Sequence, residues 1–514
     1  MSAAETPVAG TGATRRELWL IFTGIMMALA LAALDQNIVA TALPRIASDF
    51  GGLAHLSWVV TAFMVASTMT TPLYGKLSDT YGRKPAFFAS ITIFLIGSVL
   101  CGASDSMTSL IVYRAIQGLG AGGLITLAQT VIGDLVPPRE RGRYQGLFAA
   151  VFAVCSVTGP LLGGVITDHL SWRWIFYVNL PVGALAMLLI GIALKHRPRG
   201  IAHRLDYAGA LLLSIATCCA LLALSWGGTT YPWASPVILG LGVVSIGALA
   251  LLVVNEGRAA EPLLPPHLFR NRTFLSSVLV IGLASMGLFT AAVFLPLYFQ
   301  LVQGASPTAA GLMVAPMMGG VIVASVGGGR LVSRTGHYKW LVTCGLALAA
   351  TCFAALGVTA MTGQGAAMGI GILVVLGFGI GVSFPNLTTA IQSAVGREDL
   401  GVATATSAFF RSLGGAVGVA VAGAVLTARL HALMPAGMRV ETVTSHMPSV
   451  TDVALVLIYR HALSTTFFAA AAVVAFASIM VALSPEQRLG GRLESVRRPD
   501  GQGEAAALPE AQAG

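Results

Sequence analysis

Asp35 is an acidic residue inside an otherwise apolar stretch of the sequence. The residues from Leu18 to Ala33 are almost all apolar, and the apolar run resumes from Ile38 to Leu43. An ionised side chain in a stretch long enough to cross a bilayer is costly, so it usually faces a protein interior or an aqueous cavity. There it can bind and release a proton. The simpler interpretation, that Asp35 reaches water near the outer end of a helix, stays open.

Arg114 is a cation in a second apolar stretch, where it begins the sequence RAIQGLGAG. A guanidinium buried in a membrane needs a partner, and Asp35 is the carboxylate that the sequence places well inside a span. We therefore expect the two side chains to pair. Burial favours the protonated form of Asp35 and Arg114 favours the ionised form, so protonation can respond to the side that a cavity faces. A structural Arg114 bonded to backbone carbonyls is the alternative.

The composition places these residues in a membrane protein. Hydrophobic residues make up 56% of the chain and charged residues 10%, against about 45–50% and about 25% in soluble domains. Windows of about 20 residues give fourteen candidate spans. Lys and Arg concentrate on the loops that a cytoplasmic N-terminus would place inside, which predicts that both termini are cytoplasmic. No basic block interleaved with aromatic residues indicates a nucleic-acid partner.

Cysteine and histidine give no sign of a metal centre, a disulfide framework or a catalytic site. The 6 Cys lie in or at the ends of apolar spans, and the 9 His show no metal-binding spacing. Gly118, Gly120 and Gly123 match G-x-G-x-x-G, but no strand precedes them, so close helix packing explains them better than dinucleotide binding. We expect no enzyme activity, no metal and no cofactor.

A weak internal repeat indicates two related halves. GKLSDTYGRK at 75–84 matches GRLVSRTGHYK, which begins at Gly329, with an offset of 254 residues. Asp79 is replaced by Ser333 in the second copy. An offset of this size fits two six-helix bundles with two extra helices between them, a plan with parallel repeats that transporters use.

The sequence predicts five parts. They are a disordered cytoplasmic N-terminus (1–16), a six-helix bundle (17–195), two linking transmembrane helices (196–270), a second six-helix bundle (271–484) and a disordered cytoplasmic tail (485–514). The second bundle contains an outer loop at 429–461, in which ALVLIYRHAL could form an amphipathic helix on the membrane surface. The same loop could instead contact a periplasmic adaptor protein.

Several ordered motifs resemble those of the major facilitator superfamily and, within it, of the fourteen-helix drug:proton antiporter branch. They are LDQNIVATALP in the first span, GKLSDTYGRKP after the second, RAIQGLGAG in the fourth, GPLLGG in the fifth, and WRWIFYVNLPVG. The resemblance implies an all-α integral membrane protein of 14 transmembrane helices, with pseudo-two-fold symmetry between its bundles.

The resemblance also implies a function. It implies export of apolar or cationic small molecules, such as drugs and antibiotics, in exchange for protons by alternating access across a bacterial cell (inner) membrane. It gives Arg114 a part in proton coupling. We expect a monomer whose partners are the small-molecule substrate, protons and the lipid bilayer. A facilitator or importer of a metabolite such as a sugar, and a channel or scaffold without transport, are the alternatives.

Five residues form the predicted cytoplasmic gate motif: Gly75, Asp79, Gly82, Arg83 and Lys84. The two glycines are predicted to flank a tight turn, where glycine admits backbone angles that other residues avoid. Asp79, beside the two cations, could hold helix ends of the two halves together. The resemblance implies a lock that breaks and reforms during transport, and a static topology anchor is the alternative.

The fifth span contains a Gly-Pro pattern formed by Gly159, Pro160, Gly163 and Gly164. Pro160 removes a backbone donor beside Gly159, which predicts a local kink. The resemblance implies that this bend lies against the opposite half and limits leakage. Gly159 and Gly163 are four residues apart, as in closely packed membrane helices.

Seven residues are candidates for a substrate cavity, because aromatic and Met side chains can repack around diverse apolar ligands. They are Met286, Phe289, Phe294, Tyr298, Phe384, Asn386 and Arg411. Most Met and Phe residues in such a chain face lipid or neighbouring helices instead. Arg411 is a second intramembrane cation, and the sequence shows no evident partner for it.

Overall fold

The computed structural model describes residues 15–50, 56–194, 206–228, 230–259, 261–362, 366–433 and 453–485. Within these ranges the chain is almost wholly helical, and the only β pairing is an isolated bridge between Gly227 and Tyr231. The long apolar segments form helices because a membrane requires every backbone polar group to be bonded within the segment.

The described residues of the N-terminal half form seven helices. They are α1 (Arg15–Phe50), α2 (Leu56–Tyr81), α3 (Arg83–Gly102), α4 (Met107–Leu135), α5 (Pro138–His169), α6 (Trp174–Tyr177) and α7 (Asn179–Ala193). The first helix begins at Arg15, within the segment predicted to be a tail. The short α6 and α7 together make one membrane-length segment, Trp174–Ala193.

The other helices that the described residues form lie in the connecting region and the C-terminal half. They are α8 (Tyr207–Trp226), α9 (Pro236–Glu256), α10 (Pro266–Arg270), α11 (Arg272–Leu301), α12 (Pro307–Thr335), α13 (Lys339–Thr362), α14 (Ala366–Ser393), α15 (Leu400–Leu433) and α16 (Val453–Leu483). The two halves have separate hydrophobic cores, one built from α1 to α7 and one from α10 to α16.

Thirteen segments of the described residues are long and apolar enough to cross a membrane. These confirm an all-α membrane fold, while the count of fourteen spans stays a prediction. Besides the short α10, the described helix outside this set is α2, whose hydropathy is lowered by Ser and Thr side chains. Two of them bond across to α4, because Thr70 Oγ1 donates to Leu119 O at 3.2 Å and Thr71 Oγ1 donates to Gly122 O at 3.3 Å.

The segment ALVLIYRHAL forms the first turns of α16 and is not a separate surface helix, contrary to one sequence-based interpretation. Tyr459, Ala462 and Leu463 of this segment are buried in the C-terminal core. Arg460 Nε donates to Ala360 O of α13 at 3.0 Å. These contacts bind the segment to the bundle, and the remainder of the predicted outer loop, 434–452, lies outside the described residues.

The connecting helices pack on the N-terminal half. Thr61 of α2 and Ser225 of α8 are joined by a hydrogen bond of 3.3 Å between their hydroxyls, and the rings of Trp58 and Trp226 lie 4.8 Å apart. Phe409 of α15 also packs in a small apolar cluster with residues of α8 and α9. The pair α8 and α9 therefore contacts both halves.

Candidate functional site

Asp35 lies within α1, and its side chain is fully buried, with 0% of its surface exposed. Arg114 Nη1 of α4 donates to Asp35 Oδ2 at 2.6 Å. The other carboxylate oxygen, Oδ1, accepts hydrogen bonds from Gln117 Nε2 at 2.9 Å and from Asn179 Nδ2 at 3.0 Å. Asp35 of α1 is thus bonded by side chains of α4 and α7. The interpretation in which Asp35 reaches water does not fit its complete burial.

The Arg114 guanidinium is held from several sides. Its Nη1 also donates to Gln117 Oε1 at 2.7 Å, and its Nε donates to Val59 O of α2 at 3.3 Å. The guanidinium carbon lies 4.1 Å from the centre of the Phe63 ring and 5.8 Å from that of Phe176. Charge-assisted hydrogen bonds and aromatic faces offset the cost of burying the cation.

Gln117, Asn179 and Ser98 complete this site, and the sequence analysis did not assign them a role. Gln117 Nε2 donates to Ser98 Oγ of α3 at 2.7 Å, and Asn179 Nδ2 donates to the same hydroxyl at 3.1 Å. Two of the three lie inside motifs already recognised in the sequence. Gln117 follows Arg114 by one helical turn, a spacing that places both side chains on one face.

The network has a clear chemical property. With Asp35 ionised, the buried carboxylate and guanidinium balance each other and every donor aimed at Asp35 has an acceptor. Adding a proton to Asp35 would leave the Arg114 charge uncompensated in a low-dielectric interior, which is costly.

Asp79, at the end of α2, bonds to the start of α15 in the other half. Gly401 N donates to Asp79 Oδ1 at 3.1 Å, and Val402 N donates to Asp79 Oδ2 at 2.9 Å. A helix N-terminus has free N–H groups and a positive dipole end, both of which favour a carboxylate. Arg83 binds Asp79 at 2.5 Å and Asp134 at 2.7 Å. We call this end of the two halves the gate end.

Of the other gate-motif residues, Gly82 has its predicted role, whereas Gly75 and Lys84 do not. Gly82 has a positive φ of 94° and occupies the turn between α2 and α3, as expected. Gly75 does not flank a turn: it lies inside α2, where an added Cβ would sit 2.5 Å from the Cβ of Ala405 in the other half. Lys84 Nζ donates to Gly191 O at 2.6 Å, a contact within the N-terminal half.

A second contact between the halves at the gate end involves Arg141, which the sequence analysis counted only as a loop charge. Its Nη2 donates to Gly133 O at 2.6 Å, its Nε to Val136 O at 3.0 Å and its Nη1 to Gln392 O of α14 at 3.2 Å. Gln392 Nε2 in turn donates to Gln129 O at 3.1 Å. Burial lowers the pKa of Arg141 to about 10, so the side chain remains charged at neutral pH.

Close backbone packing adds to these bonds. An added Cβ on Gly146 of α5 would lie 2.9 Å from the Cα of Val326 in α12. The hydrogen bonds between the halves and these glycine contacts cluster at the gate end. The structure therefore has the two halves closed together at that end.

Glycines of α4 serve close helix packing, as the sequence analysis inferred. An added Cβ on Gly118 would lie 2.5 Å from Phe63 O in α2, and one on Gly123 would lie 2.6 Å from Ser90 Oγ in α3. Only glycine allows helices to approach so closely. The G-x-G-x-x-G match in this helix is a packing pattern.

The Gly-Pro pattern lies in a continuous α5 and faces a neighbour in the same half. An added Cβ on Gly159 would lie 2.7 Å from the Cβ of Asn37, and Gly163 also packs against α1. Pro160 is exposed, and Gly164 has no neighbour within 4 Å of an added Cβ. The structure thus places these glycines against α1, whereas the resemblance implied contact with the opposite half.

The seven cavity candidates differ in their location and burial in the structure. Phe294 and Tyr298 are buried in the C-terminal core, where the Tyr298 and Phe467 rings lie 6.0 Å apart. Phe384 is half-buried against the same core. Phe294 and Tyr298 are core residues, and the prediction that these two line a cavity does not match their packing. The same prediction for Phe384 stays a prediction.

The remaining candidates lie on α11, α14 and α15. Asn386 is buried and its Nδ2 donates to Val382 O of its own helix at 2.7 Å. Met286 and Phe289 are half-buried where α11 crosses α15. Arg411 is half-buried, and no described residue makes a hydrogen bond or ion pair with it.

The fold and the site define a class of protein: a polytopic helical membrane protein with two halves, a polar lock between them at one end and a charge pair buried within the first half. The sequence model of the Major Facilitator Superfamily matches residues 25–419, and the chain belongs to this superfamily of membrane transporters. The superfamily resemblance drawn from the motifs is thereby confirmed.

Curated relatives share much of the chain. Multidrug transporter protein MdtP of Bacillus subtilis is 39% identical over 410 residues, which cover 80% of this chain and 75% of that protein. Multidrug resistance protein 3 of Bacillus subtilis is 37% identical over 421 residues, covering 81% of each. Efflux pump FUS6 of Gibberella moniliformis is 33% identical over 445 residues, covering 84% and 78%.

Two solved structures share the fold at low sequence identity. The human organic anion transporter MFSD10 has a TM-score of 0.62 and 16% identity, covering 90% of this chain and 99% of that one. The proton:xylose symporter XylE has a TM-score of 0.63 and 14% identity, covering 94% and 99%. At these identities the likeness concerns the fold alone.

Proposed function

We propose that this protein exports apolar or cationic small molecules in exchange for protons, with Asp35 as the proton-binding group. The observation that carries the proposal is the fully buried ion pair between Asp35 and Arg114. Relatives named as multidrug transporters and efflux pumps support the direction of transport and the breadth of substrates. The membrane is the bacterial cell (inner) membrane, with both termini in the cytoplasm, and the transporter acts as a monomer without a cofactor.

Exchange follows from the two states of the buried pair. When Asp35 is ionised, it is bonded by Arg114, Gln117 and Asn179. When a proton binds, Arg114 loses its counter-charge, and the surrounding bonds must rearrange. Proton and substrate therefore favour different arrangements of the first half, which is the requirement for exchange between them.

Alternating access requires that the ends of the molecule open in turn. At the gate end, the Asp79 carboxylate and the α15 N-terminus form a contact that can break as a unit, together with the bond from Arg141 to Gln392. Opening this end exposes the space between the halves to the cytoplasm. When this end is closed, as in this structure, the space between the halves can open only toward the other side of the membrane.

The charges of the exchanged species set the driving force. A proton moving down about 100 mV contributes about 2.3 kcal/mol, and each pH unit contributes about 1.4 kcal/mol. If one monovalent cation leaves for each proton that enters, no net charge crosses the membrane. The pH gradient alone then drives export, so ethidium transport should respond weakly to membrane potential.

The test uses the purified full chain in proteoliposomes with an imposed pH gradient and ethidium as the probe. Ethidium should move against its own gradient only when the proton gradient has the opposite direction, and collapse of the proton gradient with an ionophore should stop it. Facilitated diffusion would show counterflow without response to the proton gradient, and a scaffold would show no movement. Either of these results, or acceleration by potential at fixed pH, would contradict the proposal.

A further inference from the structure

Two amide side chains donate to Asp35 Oδ1, and they differ in what their own oxygen atoms do. Gln117 Oε1 accepts a hydrogen bond from Arg114 Nη1 at 2.7 Å. Asn179 Oδ1 is buried, and no group of the described residues donates to it. A buried amide oxygen without a donor is costly, and such atoms are rare in folded proteins. The structure thus leaves this acceptor free beside Asp35.

The ionised form of Asp35 explains the orientation of the Asn179 amide. An ionised carboxylate only accepts hydrogen bonds, so a neighbouring amide must direct its nitrogen toward it. Asn179 Nδ2 donates to Asp35 Oδ1 at 3.0 Å and to Ser98 Oγ at 3.1 Å. Ser98 Oγ also accepts from Gln117, and no described residue accepts its own hydroxyl hydrogen. Ser98 therefore has a donor to spare.

Protonation changes what the Asp35 side chain requires from its neighbours. A proton on Oδ2 would compete with the N–H of Arg114, a side chain that has only donors. A proton on Oδ1 faces the nitrogens of Gln117 and Asn179, so one of these amides must present its oxygen instead. Gln117 cannot reverse without losing the bond that its oxygen accepts from Arg114. Asn179 can reverse, because its oxygen has no such bond to lose.

Reversal of the Asn179 amide keeps the shape of the side chain. The nitrogen and oxygen of an amide are nearly interchangeable in shape, so a half-turn about the last side-chain bond exchanges them within the same space. Asn179 Oδ1 would then accept from protonated Asp35 Oδ1 and from the Ser98 hydroxyl, across the distances that Nδ2 spans in this structure. The Asn179 amide makes two hydrogen bonds to these groups in either orientation.

We propose that the proton binds at Asp35 Oδ1 and that Asn179 is a positioning residue that reverses its amide to accept the resulting O–H. This proposal rests on the proposed proton-coupled export, and it identifies the atom that carries the proton and the neighbour that responds. Asn179 stabilises the ionised carboxylate as a donor and the protonated carboxyl group as an acceptor. Arg114 stays bonded to Oδ2 in both states. Both forms of Asp35 can thus exist in one buried site, as reversible proton binding requires.

The other titratable groups in contact with this network do not compete for the proton. Within the described residues they are Arg114 of α4 and the Cys101 thiol of α3, which donates to Gln117 Oε1 at 3.7 Å. Both side chains already carry their protons at neutral pH, so acidification adds none to them. No hydrogen bond joins Asp35 to a titratable side chain in the described parts of α5, α6 and α7. Asp35 is the group of this network that can take up a proton.

The test is infrared difference spectroscopy of the full chain in lipid nanodiscs, recorded as the buffer is changed from neutral to acidic pH. A carboxyl band that is absent from Asp35→Asn should appear on acidification. The carbonyl band of the Asn179 amide should shift to lower frequency, because its oxygen changes from unbonded to accepting two hydrogen bonds. This amide shift should be lost in Asn179→Leu and in Asp35→Asn.

Asn386→Leu is the matched control. Asn386 is also buried, and its Oδ1 likewise has no donor in the described part of the chain. Its Nδ2 donates to a backbone carbonyl, Val382 O, at 2.7 Å. The acid-induced amide shift should therefore be retained in Asn386→Leu. A purely structural role for Asn179 would leave its amide band unchanged on acidification.

An Asp35 carboxyl band without a shift of the Asn179 amide band, or an amide shift that persists in Asp35→Asn, would overturn the proposal. If Asn179→Leu does not fold, the amide band is assigned in the unmodified chain with asparagine that carries heavy carbon in its side-chain carbonyl. The part of that band's shift that Asp35→Asn removes then decides the question, and no such part would contradict the reversal.

The same spectra separate this proposal from proton-coupled export. Ethidium added at the acidic pH should reverse both the carboxyl and the amide changes, because substrate displaces the proton. If ethidium binds and both changes persist, exchange of proton for substrate is wrong and the Asn179 reversal stands. Absence of an Asp35 carboxyl band at every pH at which the protein is folded would overturn both.

Discussion

Arg114 donates a 2.6 Å hydrogen bond to Asp35, and both side chains are almost completely removed from solvent. The two residues come from α1 and α4, and their opposite charges balance each other in the interior of the N-terminal half. Buried pairs of this kind contribute little net stability, but removal of one partner is costly. The pair is therefore suited to a step in which one charge is cancelled by a proton.

The first prediction concerns the energetic coupling of this pair. Arg114→Ala should destabilise the protein by about 3–5 kcal/mol, because it leaves the Asp35 charge buried without its counter-ion. Adding Asp35→Asn to that variant should recover part of the loss, since the uncompensated charge disappears. Chemical denaturation of the single and double variants measures the coupling. Strictly additive losses would show that the two charges do not depend on each other.

The second prediction concerns Gln117. Gln117→Leu removes donors to Asp35 and Ser98 and an acceptor for Arg114. Leaving buried polar groups without partners should cost about 1–3 kcal/mol each. Gln36→Leu is the matched control, because Gln36 adjoins Asp35 in sequence but is exposed. Thermal unfolding should show a clear loss for Gln117→Leu only, and equal Tm values for the two variants would refute the role given to Gln117.

The ion pair and the superfamily could be predicted from the sequence, whereas much of the network could not. Few charges occur in the apolar spans, so Asp35 and Arg114 had few alternative partners. A polar uncharged residue such as Asn179 does not indicate a partner in the way that a charged residue does, because an amide in a membrane helix can also bond the backbone of its own helix. Arg141 lies in a stretch rich in cations at the start of α5, and nothing in the sequence shows that it bonds the other half.

The glycines and the cavity candidates show a second limit of prediction from the sequence. Gly75 contacts Ala405, which is far away in sequence, so its packing role cannot be read from neighbouring residues. Helices that are apolar on all sides carry no amphipathic pattern. Core residues such as Phe294 and Tyr298 therefore could not be told apart from cavity residues.

The third prediction concerns the Asp79 contact with α15. Asp79→Asn should weaken the bonds from Gly401 and Val402, because a neutral amide is a poorer acceptor at a helix N-terminus. Hydrogen exchange at these two amides should accelerate about tenfold to a hundredfold, the equivalent of about 1.5–3 kcal/mol. Asp134→Asn, which affects Arg83 but does not contact α15, should have a smaller effect. Unchanged exchange in Asp79→Asn would remove this residue from the gate.

The fourth prediction concerns Gly75. Gly75→Ala introduces a methyl group 2.5 Å from the Cβ of Ala405, so the halves can no longer close fully at the gate end. Spin labels placed on the two sides of the gate should report a larger population of long distances. Gly164→Ala is the control, since nothing lies within 4 Å of the added methyl. Identical distance distributions in the two variants would contradict a packing role for Gly75.

The central claim is that Asp35 exchanges a proton for substrate, and proton release on ethidium binding tests it most directly. In weakly buffered solution, at a starting pH low enough for Asp35 to carry a proton, a pH indicator should report about one proton released per ethidium bound by the unmodified protein. Asp168→Asn, at an exposed carboxylate of α5, should release the same amount. Asp35→Asn should bind ethidium without releasing a proton, and equal release from Asp35→Asn would contradict the claim.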